Sequence, residues 1–270
     1  TAYEIYQCDW SSDVCSSDLA LPADLDGVLI ATPSDTHADI AVPYLERGIA
    51  TFIEKPMATS SADAARIQIA SRRSGAAVFV GHIYLYNPAF RKMLELLPTL
   101  GAIQYVVCEG LNNDPGARAS VTWEWLPHHL SMGRAIFGRD PARVSAWSLT
   151  GPENPRGAVS RFLFGETPLV SMASWLSPIR RRPVTIPCEN GTLVFDDLSD
   201  HKLALYGADG AVTYPPYDSE PPLTSELRSF LAQLRGRAAD RPHLDDGLSI
   251  VRAIEAANRS IRSGGAEVVL

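Results

Sequence analysis

The 270-residue chain is 46% hydrophobic and 20% charged, which suffices for a sizeable core and excludes global disorder. Its formal net charge of −7 excludes a general nucleic-acid binder, because phosphate contacts need a basic face. No apolar run approaches the roughly 18 residues of a membrane span, and no signal-peptide pattern is present. Cys8, Cys15, Cys108 and Cys188 form no CxxC or Cys/His metal spacing, so a reduced, cytoplasmic protein without a structural metal is expected.

Asp9 to Leu19 reads DWSSDVCSSDL and follows neither a strand nor a helix period. The string resembles the translation of a short-read sequencing adapter joined in frame. Residues 9–19 are therefore expected to be an artefact, and Cys8 and Cys15 to carry no redox information. From Asp26 the patterning is regular. Gly27-Val28-Leu29-Ile30-Ala31 is a continuous apolar run, as in a parallel strand covered on both faces. A helix to about Arg47 follows, capped by Ser34, Asp35 or Thr36 and closed by Gly48; Pro43 demands a kink or a late start. Ala50 to Ile53 is a second buried strand, ended by Glu54-Lys55-Pro56. Ser60 or Ser61 opens an alanine-rich helix to about Ser74, and Gly75 leads into a third strand, Ala77 to Val80. This alternation with short joints predicts right-handed crossovers of a parallel sheet.

After Gly81 the style changes. A helix over about Pro88 to Leu97 precedes alternating segments at Ile103–Glu109, Val144–Leu149, Ser160–Phe164, Leu169–Trp175 and Thr192–Phe195, as in a sheet with one solvated face. Arg180-Arg181-Arg182, between Pro178 and Pro183, reads as a solvated bend beside a strand, with a phosphate-binding patch as the alternative. Leu223, Leu227, Phe230, Leu231 and Leu234 share one helical face; a last helix carries Leu248, Val251, Ile254 and Ile261 and stops at Gly264-Gly265. The predicted fold class is α/β. Residues 1–82 form an incomplete doubly wound, Rossmann-like parallel sheet, and residues 83–270 an α+β domain with a large, mostly antiparallel sheet.

Lys55 lies at the C-terminal end of a predicted parallel strand, where doubly wound folds hold their ligands. An amine partly withdrawn from water can shuttle the proton of a hydroxyl whose carbon gives up a hydride. The alternative is a solvated lysine in a strand-to-helix loop. His128 can donate to or accept from a hydroxyl near neutral pH, and Glu124, four residues earlier, shares its helical face. Trp123, Trp125 and Trp175 read as core rather than as a sugar platform. Asn87-Pro88 serves equally as a turn opener or a polyol contact.

Five segments, in order, resemble one family. They are DGVLIATPSDTHADIA (Asp26 to Ala41), FIEKP (Phe52 to Pro56), GHIYLYNPAF (Gly81 to Phe90), WEWLPHHLSMGRAIFG (Trp123 to Gly138), and a tail from Pro221 to Leu270. They are similar to the Gfo/Idh/MocA oxidoreductases, the glucose–fructose oxidoreductase and inositol dehydrogenase type. The resemblance implies an enzyme that uses NAD or NADP on a hydroxyl or carbonyl of a sugar, inositol or sugar derivative. Lys55 and His128 would be catalytic. Thr32, Pro33, His37, Glu54 and Lys55 would border the cofactor, with Glu54 near the nicotinamide ribose. Glu124, Asn87 and His129 would face the substrate, and the large sheet would form a homo-oligomer. His129 and Ser131 stand where acidic residues are common in the family, and Leu85 where many members have Arg. These departures leave a non-catalytic carbohydrate-binding or scaffold protein as the alternative. The G-x-G-x-x-G turn that normally receives the pyrophosphate is absent from the sequence. The resemblance thus implies a lost leading portion and a chain short of cofactor affinity.

Overall fold

The computed structural model describes residues 25–117, 119–238, 240 and 243–270. The adapter-like segment and the first two cysteines lie outside the described residues. Strands β1 (Gly27–Ile30), β2 (Ala50–Glu54) and β3 (Val78–Gly81) pair in parallel in that order, with Ile30 opposite Ile53 and Ile53 opposite Val80. The crossovers are helices α1 (His37–Glu46) and α2 (Ser61–Ser74), as the patterning predicts. Ser60 caps α2 by accepting from the Asp63 amide at 3.0 Å, and Gly75 ends it at φ 77°, a left-handed conformation that glycine adopts without strain. A 3-10 turn, Ser34–Thr36, leads into α1. The expected side-chain cap is absent there, because the Thr36 hydroxyl donates back to the Pro33 carbonyl at 2.7 Å.

Helices α1 and α2 cover one face of this sheet over Ile30, Ile53 and Val80. On the other face Phe52 and Phe79 stack at 5.1 Å. Helix α5 (Pro222–Leu234) lays Phe230 edge-on against both, at 5.6 Å from each. Leu234 reaches the start of β1 at Gly27. Glu226, one turn before Phe230 on the same helical face, therefore lies towards the strands' C-terminal ends. It is fully enclosed, at 0% exposure, and neither carboxylate oxygen has a hydrogen-bond partner among the described residues.

Beyond β3, a 3-10 turn (Ile83–Tyr86) and α3 (Pro88–Leu96) lead to β4 (Val106–Asn113) and the long α4 (Val121–Phe137). Then come β5 (Arg143–Ser148), β6 (Gly157–Phe164), β7 (Thr167–Ser174), β8 (Leu176–Arg181), β9 (Pro183–Cys188), β10 (Gly191–Asp196), β11 (Leu203–Gly207) and β12 (Val212–Thr213). Helix α6 (His243–Arg262) and β13 (Val268–Val269) follow α5. The ten strands form one sheet in the order β12-β11-β10-β9-β4-β7-β6-β5-β13, with β8 paired beside β4; only β4 and β7 run parallel. The triple arginine is not a bend. Arg180 and Arg181 belong to β8, and Arg182 joins it to β9.

Helix α4 lies between the large sheet on one side and α6 and the Ile83–Tyr86 turn on the other. Arg134 of α4 and Asp246 of α6 meet at 2.6 Å and fix the two helices together. The opposite face of the sheet is open, and its Trp147–Val159–Met172 row runs across β5, β6 and β7 with Trp147 and Met172 exposed. No described helix is long and apolar enough to cross a membrane.

Candidate active site

The C-terminal ends of β1, β2 and β3 present Thr32-Pro33, Glu54-Lys55 and His82 along one edge. Helix α4 approaches that edge with Glu124 and His128. Lys55 Nζ donates to Glu124 Oε1 at 2.5 Å across 69 residues of chain, with the Lys55 side chain only 15% exposed. His128 is buried beside them. Burial, then the Lys55 charge, holds its imidazole well below the ordinary histidine range, so the ring is neutral at physiological pH. Its Nδ1 has no hydrogen-bond partner among the described residues. Tyr84 meets the His128 ring edge-on at 5.0 Å, and Trp125 does so at 6.0 Å. Glu54 accepts from the Lys55 amide at 3.1 Å. Burial raises its pKa, and the Glu124 carboxylate adds to that shift.

Lys55, Glu124, His128 and Glu54 are thus brought together, with Thr32 and Pro33 on the neighbouring strand end. Three other candidates are corrected. His37 is enclosed, and its ring nitrogens face the carbonyls of Thr32 (3.0 Å) and Pro56 (2.9 Å). It braces the ends of β1 and β2 from beneath and has no nitrogen left for a cofactor. Asn87 caps α3 by accepting from the Ala89 amide at 3.0 Å, while its amide donates to Asp197 at 2.9 Å. His129 turns away from the site, as a helix dictates for the residue after His128. Its Nδ1 is 2.7 Å from Ser171 Oγ on β7, and Trp125 stacks on the ring. Ser131 donates to the His128 carbonyl at 2.9 Å.

His82, Tyr84 and Arg182 also gather around His128; the sequence reading gave no role to His82 or Tyr84 and took Arg182 with its neighbours as a solvated bend or a phosphate-binding patch. His82 follows the third strand as Lys55 follows the second, so the same strand-end rule singles it out. Arg182 reaches over the Trp125 ring, its Cζ 5.3 Å from the centroid. Gly110 of β4 lies directly beneath that indole, where an added Cβ would overlap the ring. Gly110→Ala is expected to cost about 1–3 kcal/mol of stability and to raise KM by displacing Trp125. Thermal unfolding and steady-state kinetics check this; an unchanged Tm would mean that the indole yields freely.

Comparison with known proteins agrees with this architecture. A family model described as oxidoreductase family, NAD-binding Rossmann fold, of the Gfo/Idh/MocA group, matches residues 3–82. Inositol 2-dehydrogenase 3 of Saccharopolyspora erythraea is 37% identical over 225 residues, covering 80% of this chain and 63% of its own. Over residues 3–82 the chain matches the Gfo/Idh/MocA oxidoreductases. Among other relatives, the inositol 2-dehydrogenase of Rhizobium meliloti is 23% identical over 266 residues, covering 88% of this chain and 79% of its own. A solved structure from Magnetospirillum magnetotacticum MS-1 superposes with a TM-score of 0.79 at 29% identity, covering 88% of this chain and 81% of that one.

The described residues fit the nicotinamide end of a dinucleotide. Three parallel strand ends, a shielded carboxylate at Glu54 suited to ribose hydroxyls, and a buried unpartnered nitrogen on His128 converge at one edge. No G-x-G-x-x-G turn occurs among them.

Proposed function

We propose that this chain carries the site of an NAD(P)-dependent oxidoreductase acting on a hydroxyl or carbonyl carbon of a sugar, inositol or related polyol. The supporting observation is the Lys55–Glu124 contact at the end of a parallel strand, with His128 buried alongside. The inositol dehydrogenase relatives favour a polyol. When bound, NAD or NADP accepts or returns the hydride at the substrate carbon. Lys55 takes the hydroxyl proton during oxidation and returns it to the carbonyl oxygen during reduction. Glu124 holds and orients the amine, and neutral His128 orients the reacting oxygen. Thr32, Pro33 and Glu54 border the cofactor. The division of labour falls near residue 82, with the strand ends on the cofactor side and α4 on the substrate side. His129 and Ser131 act within the α4 interior, so their departure from the family pattern leaves the reacting face intact; this favours catalysis over a binding or scaffold role. The open Trp147–Met172 face is the surface for self-association of a cytoplasmic protein.

The test is incubation with NAD+ or NADP+ and a panel of inositols, hexoses and pentoses carrying deuterium on the carbinol carbons. Cofactor reduction with transfer of deuterium to the nicotinamide is the expected result. No reduction and no transfer with any member would reject the assignment. Because the His128 pKa is depressed, its proton is already absent above the ordinary value of 6.5 and stays absent as pH falls through it. The pH–rate profile of kcat/KM is therefore expected to show no histidine limb near 6.5. A His128-dependent inflection there, lost in His128→Asn, would contradict the neutral ring.

A further inference from the structure

We propose that Arg182 recognises a carboxylate on the substrate, so that the preferred substrates are sugar acids rather than neutral polyols. This deepens the oxidoreductase reading and rests on it. Arg182 stands at the corner between β8 and β9, half-buried, with its guanidinium over the Trp125 ring. Trp125 and Tyr84 are the two rings that meet His128. Arg182 opposes the burial-driven rise of the Tyr84 phenol and lowers the His128 imidazole, as does Lys55. Both cations therefore act on His128, Lys55 the more strongly, after burial itself. A substrate whose reacting hydroxyl meets Lys55 and His128 presents its far end to the guanidinium.

Charge accounting separates Arg182 from its neighbours. Lys55 is paired with Glu124, Arg181 makes a double contact with Glu109 on the open face of the sheet, and Lys202 is paired with Asp197. Among the described residues Arg182 makes no ion pair; it lies over the Trp125 ring and donates to the Tyr84 phenol, with further N–H groups left on its edge. A guanidinium laid over an indole keeps its edge N–H groups for a planar, two-oxygen acceptor, and a carboxylate supplies that with one charge to match one. Leu85, on the Ile83–Tyr86 turn, is buried and contributes no charge. The positive excess comes instead from the large sheet.

The experiment compares D-glucose, D-glucuronate and D-glucose 6-phosphate as ligands of the purified chain with cofactor present. Binding is read by calorimetry and turnover by cofactor reduction. Glucuronate is expected to bind and turn over at least about tenfold better than glucose, the scale of a charge-assisted hydrogen-bond pair. Arg182→Met should reduce that acid-to-neutral ratio by about tenfold or more, and Arg182→Lys should retain part of it. An equal ratio in parent and Arg182→Met, or a phosphate preferred over both sugars, overturns carboxylate recognition. Calorimetric preference for glucuronate that disappears in Arg182→Met supports it even where nothing is oxidised; in that case the oxidoreductase reading fails alone. Oxidation of glucose with no acid preference has the opposite meaning.

Discussion

Replacing Lys55 with alanine is expected to lower kcat by about a hundred- to ten-thousand-fold, the range that a positioned proton-transfer group contributes. His128 cannot substitute, because burial keeps its ring neutral and reluctant to hold a proton. Glu124, held at 2.5 Å by the same amine, would lose the partner that aims it. Lys55→Arg should be almost as damaging, since a guanidinium keeps its proton throughout the accessible pH range. Glu124→Gln should cost less, because the amide still accepts from Lys55. Steady-state kinetics of the three variants checks this order. Turnover of Lys55→Ala within tenfold of the parent would remove the amine from the chemistry.

Glu226→Gln is expected to stabilise the protein at neutral and alkaline pH and to do nothing comparable under acid conditions. Burial first, then the charges of Glu54 and Asp240, pushes the Glu226 carboxyl up to about 8 from an ordinary 4.5. The charged groups facing it are Glu54 of β2 and Asp240, which precedes α6 and is held there by Tyr86 and His243. Asp240 itself is brought down to about 2: burial opposes ionisation, but hydrogen bonds from His243, Tyr86 and Ser229 outweigh it. The folded state therefore keeps a proton on Glu226 that the unfolded chain releases above 4.5. Stability drains away as pH rises from 4.5 towards 8, at about 1.4 kcal/mol per pH unit. The accumulated cost at neutral pH is on the order of 3 kcal/mol. Glutamine removes the ionisation and keeps the volume. Thermal unfolding of parent and variant at pH about 5 and about 8 isolates the effect, because all other titrations are common to both. Curves that shift in parallel at the two pH values would mean that Glu226 ionises in the native state without penalty.

Local patterning was enough for the parallel half of the fold. The apolar run at Gly27–Ile30, the Ser60 cap and the left-handed Gly75 each determine their structure within a few residues, although Leu29 of that run is 51% exposed and the strand is not covered on both faces as expected. The β8 strand was hidden for a physical reason. All but one of its residues are exposed, and it pairs beside β4 off the main path, so no buried face imposes an alternating pattern. That Lys55, Glu124 and His128 lie together was expected from strand-end position and helical spacing joined to the family resemblance. Asn87 read equally as a turn opener and as a polyol contact; its place before Pro88 marks a helix N-terminus, and the structure uses it as the cap of α3. His129 follows His128 by one step of the helix, which is enough to turn it to the sheet. The triple arginine offered an anion-binding alternative, but the contact of Arg182 with Trp125 was not legible, because it depends on how the β8–β9 corner folds over α4.

Helix α4 receives Lys55 from the small sheet on one flank and Arg182 from the large sheet on the other. Reactivity and selectivity consequently enter through separate structural supports that meet only at its surface. Substitutions at the β8–β9 corner can therefore redirect the protein to new molecules without retuning its proton chemistry. Such changes should combine with those at the β2 terminus almost additively, giving the lineage a route to diversify.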